Sequence, residues 1–116
     1  MFNDSTNISY DWRSAVRTIL LRNERNSIIT HRRARFEWEA AFPFSFPFER
    51  NEAIAKALAD PDLQGRRINT MKEDGEVWEF FTVFEERKVY IKINLLPNRK
   101  VIILYSAHIP NKGGKL

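Results

Sequence analysis

Apolar positions recur along this chain with two different periods, and the change from one to the other falls near Gly65. From Asp11, residues Trp12, Val16, Ile19 and Leu20 fall at i, i+4, i+7 and i+8 with Ala15 beside them, the single stripe of an amphipathic helix. The spacing predicts a helix over 11–22, with Ser9 or Asp11 accepting from its free N–H groups. Between Asn26 and Phe42 both periods fit: Ala34, Phe36, Trp38 and Ala40 alternate as in a strand, while Ala34, Trp38 and Ala41 recur at helical spacing. Thr30 as an N-cap, the Ala-rich end, and Arg35 with Glu39 at i, i+4 favour a helix over 31–42. The run Phe42-Pro43-Phe44-Ser45-Phe46-Pro47-Phe48 breaks that helix, because each proline lacks an N–H and pushes its predecessor into an extended conformation. It reads as a connector whose rings fill apolar gaps, the alternative being a stacking platform for bases. A short helix is predicted over 51–59, capped by Asn51, with Ile54 and Leu58 on one face and Asp60-Pro61 as its stop.

Beyond Gly65 the period is two. Residues 77–85, 88–95 and 101–106 read as strands, and their short connections make the pairs antiparallel. Arg67 to Met71 adds an earlier strand, with Glu73-Asp74-Gly75 as its turn. In the 88–95 segment Val89, Ile91, Ile93 and Leu95 point one way and Tyr90, Lys92 and Asn94 the other, so one side of the sheet faces solvent or a ligand. The predicted fold is α+β: two or three N-terminal helices packed on one face of a three- to four-stranded antiparallel sheet. At 116 residues the chain makes one domain over 1–116, with loose ends at 1–9 and 109–116.

Nine Phe, three Trp and three Tyr supply ample apolar area for a core, which excludes disorder for the bulk of the chain. No apolar run approaches the roughly 20 residues of a bilayer-spanning helix, and the Met1 end shows no secretion signal. The expectation is a soluble, cytoplasmic protein with no membrane partner. With no Cys and two His, disulfide scaffolds, thiolate zinc sites and Cys nucleophiles drop out. Neither a metal nor a cofactor is expected. The formal net charge of +4 points towards a polyanion. It is concentrated: Arg22, Arg25, Arg32, Arg33 and Arg35 stand against the single Glu24.

Phosphate-loop, dinucleotide-fold, zincin and serine-hydrolase motifs are all missing from the sequence. What remains is His31-Arg32-Arg33-Ala34-Arg35, together with Tyr105-Ser106-Ala107-His108 at the end of the last predicted strand. On a helix, His31 and Arg35 lie one turn apart, an imidazole beside a fixed positive charge. A guanidinium holds a phosphate in bidentate fashion, and a histidine with an unperturbed pKa of about 6.5 moves protons near neutrality. RNA cleavage through its own 2′-OH needs only a base, an acid and a cation. The candidate catalytic residues are therefore His31, Arg35, Tyr105 and His108. The candidate nucleic-acid contacts are Arg22, Arg25, Arg32, Arg33 and Lys92. Each has a plainer reading: Arg32 and Arg33 as a solvated helix face, His31 as a cap, His108 as an incidental tail residue, Tyr105 as cover for the sheet.

The order His31-x-x-x-Arg35, Glu39, a helix closing in Ala57-Leu58-Ala59-Asp60-Pro61, and strands ending in Val101-Ile102-Ile103-Leu104-Tyr105-Ser106-Ala107 is similar to the RelE-like superfamily of bacterial ribonuclease toxins. Phe36-Glu37-Trp38-Glu39 also resembles the opening of its BrnT branch, where that phrase precedes the basic histidine segment instead of following it. The resemblance covers about residues 28–107 as a layout. It implies a metal-independent endoribonuclease of a toxin–antitoxin pair, helices on a curved antiparallel sheet, and a cognate antitoxin that blocks the basic groove. The rival expectations are a non-catalytic nucleic-acid-binding regulatory module, and a protein-interaction domain whose basic helix meets an acidic protein. Oligomeric state is not legible in the sequence.

Overall fold

The computed structural model describes residues 4–110. Its elements run β1 (Thr6–Asn7), α1 (Tyr10–Arg22), β2 (Ile28–Thr30), α2 (Arg32–Ala41), α3 (Pro47–Leu58), β3 (Gln64–Ile68), β4 (Glu76–Phe84), β5 (Arg87–Leu95) and β6 (Ile102–His108). The strands form one sheet in the order β1-β3-β4-β5-β6-β2. All pairs are antiparallel except β2 with β6, which is parallel.

The α+β class stands, but the sheet is six-stranded and mixed, not three- or four-stranded and antiparallel. Strands β1 and β2 are two and three residues long, too short to show an alternation of their own. Main-chain bonds flank β2 on β6: Ser27 C=O accepts from Ile102 N–H at 2.9 Å, and His31 N–H donates to Leu104 C=O at 2.9 Å. Nor are the helices a block ahead of the sheet, because β1 and β2 interleave with them. The expected loose end at 1–9 is pinned over its described part. Asn7 pairs with Gln64, Ile8 is 2% exposed, and the buried Arg13 guanidinium donates to the carbonyls of Ile8 and Leu58 at 3.1 and 2.9 Å. Ile109 packs against the core, while residues 1–3 and 111–116 lie outside the described residues.

Helix α1 forms where the stripe predicts it. Ser9 Oγ accepts from Trp12 N–H at its start, and Asn23 in the left-handed conformation closes its end. Helix α2 settles the ambiguous segment as helix, with His31 and not Thr30 at the N-cap position. Helix α3 starts at Pro47 instead of Asn51, since proline at the first helical position loses no hydrogen bond and the Glu49 carboxylate accepts from Phe46 N–H at 2.8 Å. Asn51 is consequently interior and buried, donating to Asn23 Oδ1 at 2.9 Å.

All three helices cover one side of the sheet. Trp12, Val16 and Leu20 of α1, Trp38 of α2 and Ile54 and Leu58 of α3 share a core with Phe80, Ile91, Ile93, Ile102 and Leu104. Each fully buried aliphatic side chain contributes about 1.5–3 kcal/mol. Of the proline-rich connector only Phe42 joins this core. Phe44 is 95% exposed, and Phe46 and Phe48 stack on each other in solvent, centroids 5.8 Å apart, so the connector does not fill gaps as expected.

Candidate functional site

Among the described residues no helix covers the sheet's other side. Its residues are set by the two-residue alternation: Glu79 of β4 lies opposite Lys92 of β5 and Val77 opposite Asn94, while Tyr90 pairs with His108 of β6 and Lys92 with Ser106. Between the Lys92–Ser106 and Ile93–Leu104 pairs the register shifts, which leaves Tyr105 as the extra residue of a β-bulge. A bulge re-aims the side chain it inserts. Here Tyr105 joins Val77 and Ile103 in a small apolar cluster on the open side, against which Ile68, Met71 and Leu96 pack.

Two polar groups flank Lys92 on this face. In the first, the Tyr105 hydroxyl donates to Glu73 Oε1 at 2.5 Å and accepts from Asn94 Nδ2 at 3.1 Å. The His31 imidazole meets the same tyrosine edge-on, ring centroids 4.9 Å apart. Burial, then the Glu73 carboxylate, push the Tyr105 hydroxyl up to about 12. The Tyr105 hydroxyl in turn holds the Glu73 carboxyl below the usual carboxylate range, aided by His31 and Lys72. In the second group, Glu79 is 4% exposed, with Oε2 paired to Arg66 and Oε1 accepting from the Tyr90 hydroxyl at 2.5 Å. Burial, then Glu79, push Tyr90 upward. The Tyr90 ring lies 5.1 Å from that of His108. His108 Nδ1 faces the Ile109 carbonyl at 3.0 Å; a carbonyl only accepts, so this contact is a hydrogen bond in the tautomer that protonates Nδ1 and leaves Nε2 as an acceptor.

Lys92 sits between these groups, half-buried. Glu79 stands directly across the ladder from it, but both Glu79 oxygens are engaged by Arg66 and Tyr90. Lys92 takes part in neither of the ion pairs Arg33–Glu37 and Arg66–Glu79. From Tyr105 to His108 is three residues of strand, about 10 Å of backbone. The strand register thus places Lys92 between Tyr90, whose ring meets His108, and Asn94, which donates to the Tyr105 hydroxyl.

Of the residues singled out in the sequence, Lys92, Tyr105 and His108 lie on this face, and His31 reaches it through its contact with Tyr105. Arg33 lies near His108 in a shallow depression of about 570 Å³ that also includes Glu37 and Arg87. Arg35 does not join them: with Arg32 it lies over the half-exposed Phe36 ring, 5.4 and 5.2 Å from its centroid. Helix geometry places Arg32, Arg35 and Phe36 away from the Arg33–Glu37 flank. Arg22 lines a groove of about 510 Å³ beside Tyr10, Arg99 and Lys100, and Arg25 is exposed in the turn after α1. The arginine-rich segment therefore spreads over several surfaces.

Sequence reasoning placed Asn94 on this face without giving it a role, and missed Arg66, Glu73 and Glu79. A signal for one existed, since Glu79 interrupts the apolar run Val77-Trp78-Glu79-Phe80-Phe81. Glu73 read only as turn charge. Among the described residues no group of His, Asp and Glu is arranged to hold a metal ion, and no helix is long and apolar enough to cross a membrane.

No protein-family model, no curated protein and no solved structure matches the chain.

Proposed function

We propose that this protein binds RNA across the open face of its sheet and cleaves it without a metal, in the manner of a toxin-like endoribonuclease. The observation that carries the reading is Lys92, an ammonium without a carboxylate partner among the described residues, lying between the His108–Tyr90 and His31–Tyr105 pairs. In the proposed step His108 Nε2 takes the proton of a ribose 2′-OH, and the 2′-oxygen bonds to the adjacent phosphorus. The P–O5′ bond breaks, and the leaving 5′-oxygen takes a proton from the His31 imidazolium, which is left as neutral imidazole. The products are a 2′,3′-cyclic phosphate and a 5′-hydroxyl. Lys92 stabilises the additional negative charge on phosphorus. Arg35, the expected cation, passes this role to Lys92 because it lies on the Phe36 flank of α2.

Incubation of purified protein with RNA in EDTA, with the ends of the products analysed, tests the reading. Cyclic-phosphate ends that fall about 10²- to 10⁴-fold in His108→Ala support it. Intact RNA, or cleavage indifferent to His108→Ala and Lys92→Ala, overturns it.

The exposed Phe44, Phe46 and Phe48 favour a second reading, a protein-interaction domain with an aromatic anchor. It predicts no RNA affinity at moderate salt and capture of an acidic protein, such as an antitoxin, that Phe46→Ser abolishes.

A further inference from the structure

The loop between β3 and β4, residues 69–75, crosses the open face as a strap held at both feet. At one foot Met71 packs with Ile68 against Val77, Ile103 and Tyr105. At the other, Asn94 Nδ2 donates to the Asp74 carbonyl at 3.2 Å, and Gly75 takes a φ of +129° that side-chain-bearing residues rarely adopt. A Cβ on Gly75 would lie 2.6 Å from the Leu95 carbonyl and would collide with Asn94 Oδ1. The backbone of the strap therefore lies directly on β5. Between the feet, Lys72 and Glu73 form an exposed tip, and Glu73 turns its carboxylate down to the Tyr105 hydroxyl beside His31.

Tyr105 has one hydroxyl proton, which goes to Glu73, and its oxygen already accepts from Asn94. A phosphate oxygen arriving from solvent finds that donor in use by another anion. A carboxylate and a phosphate oxygen are equivalent acceptors for an O–H donor and for a nearby cation, and two like charges a few ångströms apart repel. We propose that Glu73 is a built-in occupant of a substrate phosphate seat formed by Tyr105 and His31, and that RNA binds only by displacing it. The displacement is small. Both feet of the strap stay packed while the Glu73 side chain swings out to water, so the gate is one side chain and not the opening of a loop. A free phosphate of the right reach competes for the same seat as a phosphodiester, whereas a neutral ligand does not.

This inference rests on the RNA reading above, and its test separates the two. The first probe is an RNA octamer with 2′-O-methyl riboses, which binds without being cleaved; the second is inorganic pyrophosphate. The variant is Glu73→Gln, which keeps the shape of the side chain and removes its charge. The control is Glu24→Gln, which changes net charge equally at an exposed position in the turn after α1. The expected result is an octamer affinity about tenfold higher in Glu73→Gln than in Glu24→Gln, the effect of removing one like charge at close range after solvent screening. Equal affinities in the two variants, with the octamer still binding the unaltered protein, overturn the gate and leave the RNA reading standing. If the octamer binds none of the proteins but pyrophosphate binds Glu73→Gln about tenfold more tightly than Glu24→Gln, the seat stands and the RNA reading falls. If neither probe distinguishes the variants and neither binds, both ideas are wrong.

Discussion

The His31 ring stands edge-on to the Tyr105 ring at an interplanar angle of 83°, joining the start of α2 to the bulge of β6. These residues are 74 positions apart in sequence, and the contact exists because β2 runs parallel to the first half of β6 and delivers His31 one residue beyond Thr30–Leu104. The hydroxyl of this tyrosine is stabilised in its neutral form, pushed up to about 12 from the ordinary value of about 10 by burial and then by its bond to Glu73. The folded state therefore keeps a proton that the unfolded chain loses. Its stabilising contribution is present in full below pH 10 and is lost as pH rises from 10 towards 12. Thermal unfolding followed across that window is expected to fall more steeply for the unaltered protein than for Tyr105→Phe. Parallel curves for the two proteins would contradict the neutral-form stabilisation that burial and then the bond to Glu73 give this hydroxyl.

The relocation of the cation from Arg35 to Lys92 can be checked directly. Lys92→Ala is expected to lower RNA cleavage by about 10²- to 10³-fold, the usual effect of losing one group that stabilises transition-state charge. Arg35→Ala should stay within about twofold, as befits an exposed residue outside the reacting groups. Single-turnover rates in EDTA give both numbers. A larger loss in Arg35→Ala than in Lys92→Ala reverses the assignment.

Gly75 supports the strap through its conformation. Gly75→Ala combines a positive φ with a collision against Asn94 and Leu95, and is expected to cost at least about 1–3 kcal/mol in denaturant unfolding. In the gate inference it also loosens Glu73 from Tyr105, so folded Gly75→Ala protein binds the octamer more tightly than the unaltered chain. Unchanged stability would show that this backbone is less constrained than its position on β5 implies.

The β4–β5 hairpin turns through Glu85 and Glu86, both at positive φ, 50° and 64°. That is the backbone of a two-residue turn suited to Asn-Gly, and each non-glycine residue held there costs roughly 1 kcal/mol. Replacing the pair by Asn-Gly is expected to raise unfolding stability by about 1–2 kcal/mol. Chemical denaturation measures it, and a loss of stability would mean that the two glutamates make contributions the turn geometry does not reveal.

Arg50 is 4% exposed, with Nε donating to Asn51 Oδ1 at 3.1 Å and Nη2 within 3.4 Å of Thr30 Oγ1. Burial lowers it to about 10, partly opposed by the charge of Glu39. Replacing a buried charge by an apolar side chain of similar volume is often neutral or stabilising, so Arg50→Met is expected to change stability by about 0 to +2 kcal/mol. A loss above about 2 kcal/mol would show that the two hydrogen bonds outweigh the cost of burying the guanidinium.

Helix α1, strands β4 to β6 and the open face of β5 were legible in the sequence because their apolar periods run for whole elements. Tyr90, Lys92 and Asn94 could be assigned to one side from alternation alone. Three things could not. Strands of two or three residues carry no period, so β1 and β2 stayed hidden. A one-residue bulge leaves no mark on composition, yet it decides where Tyr105 points. The carboxylates of Glu73 and Glu79 matter through partners 32 and 11 residues away, distances over which local pattern says nothing. Arg35 misled for the same reason: helical spacing relates it to His31 but does not say which flank of α2 meets the sheet.

Strands β1 and β2 also terminate the two margins of the sheet. An uncovered margin with a long row of unpaired amides is a template for another polypeptide, and the stubs shorten that row by covering Gln64 and Gly65 of β3 and Ile102 to Leu104 of β6. The fold thus discourages lateral growth of one molecule onto the next, leaving the broad uncovered face between those stubs as the surface where this protein can afford to be sticky.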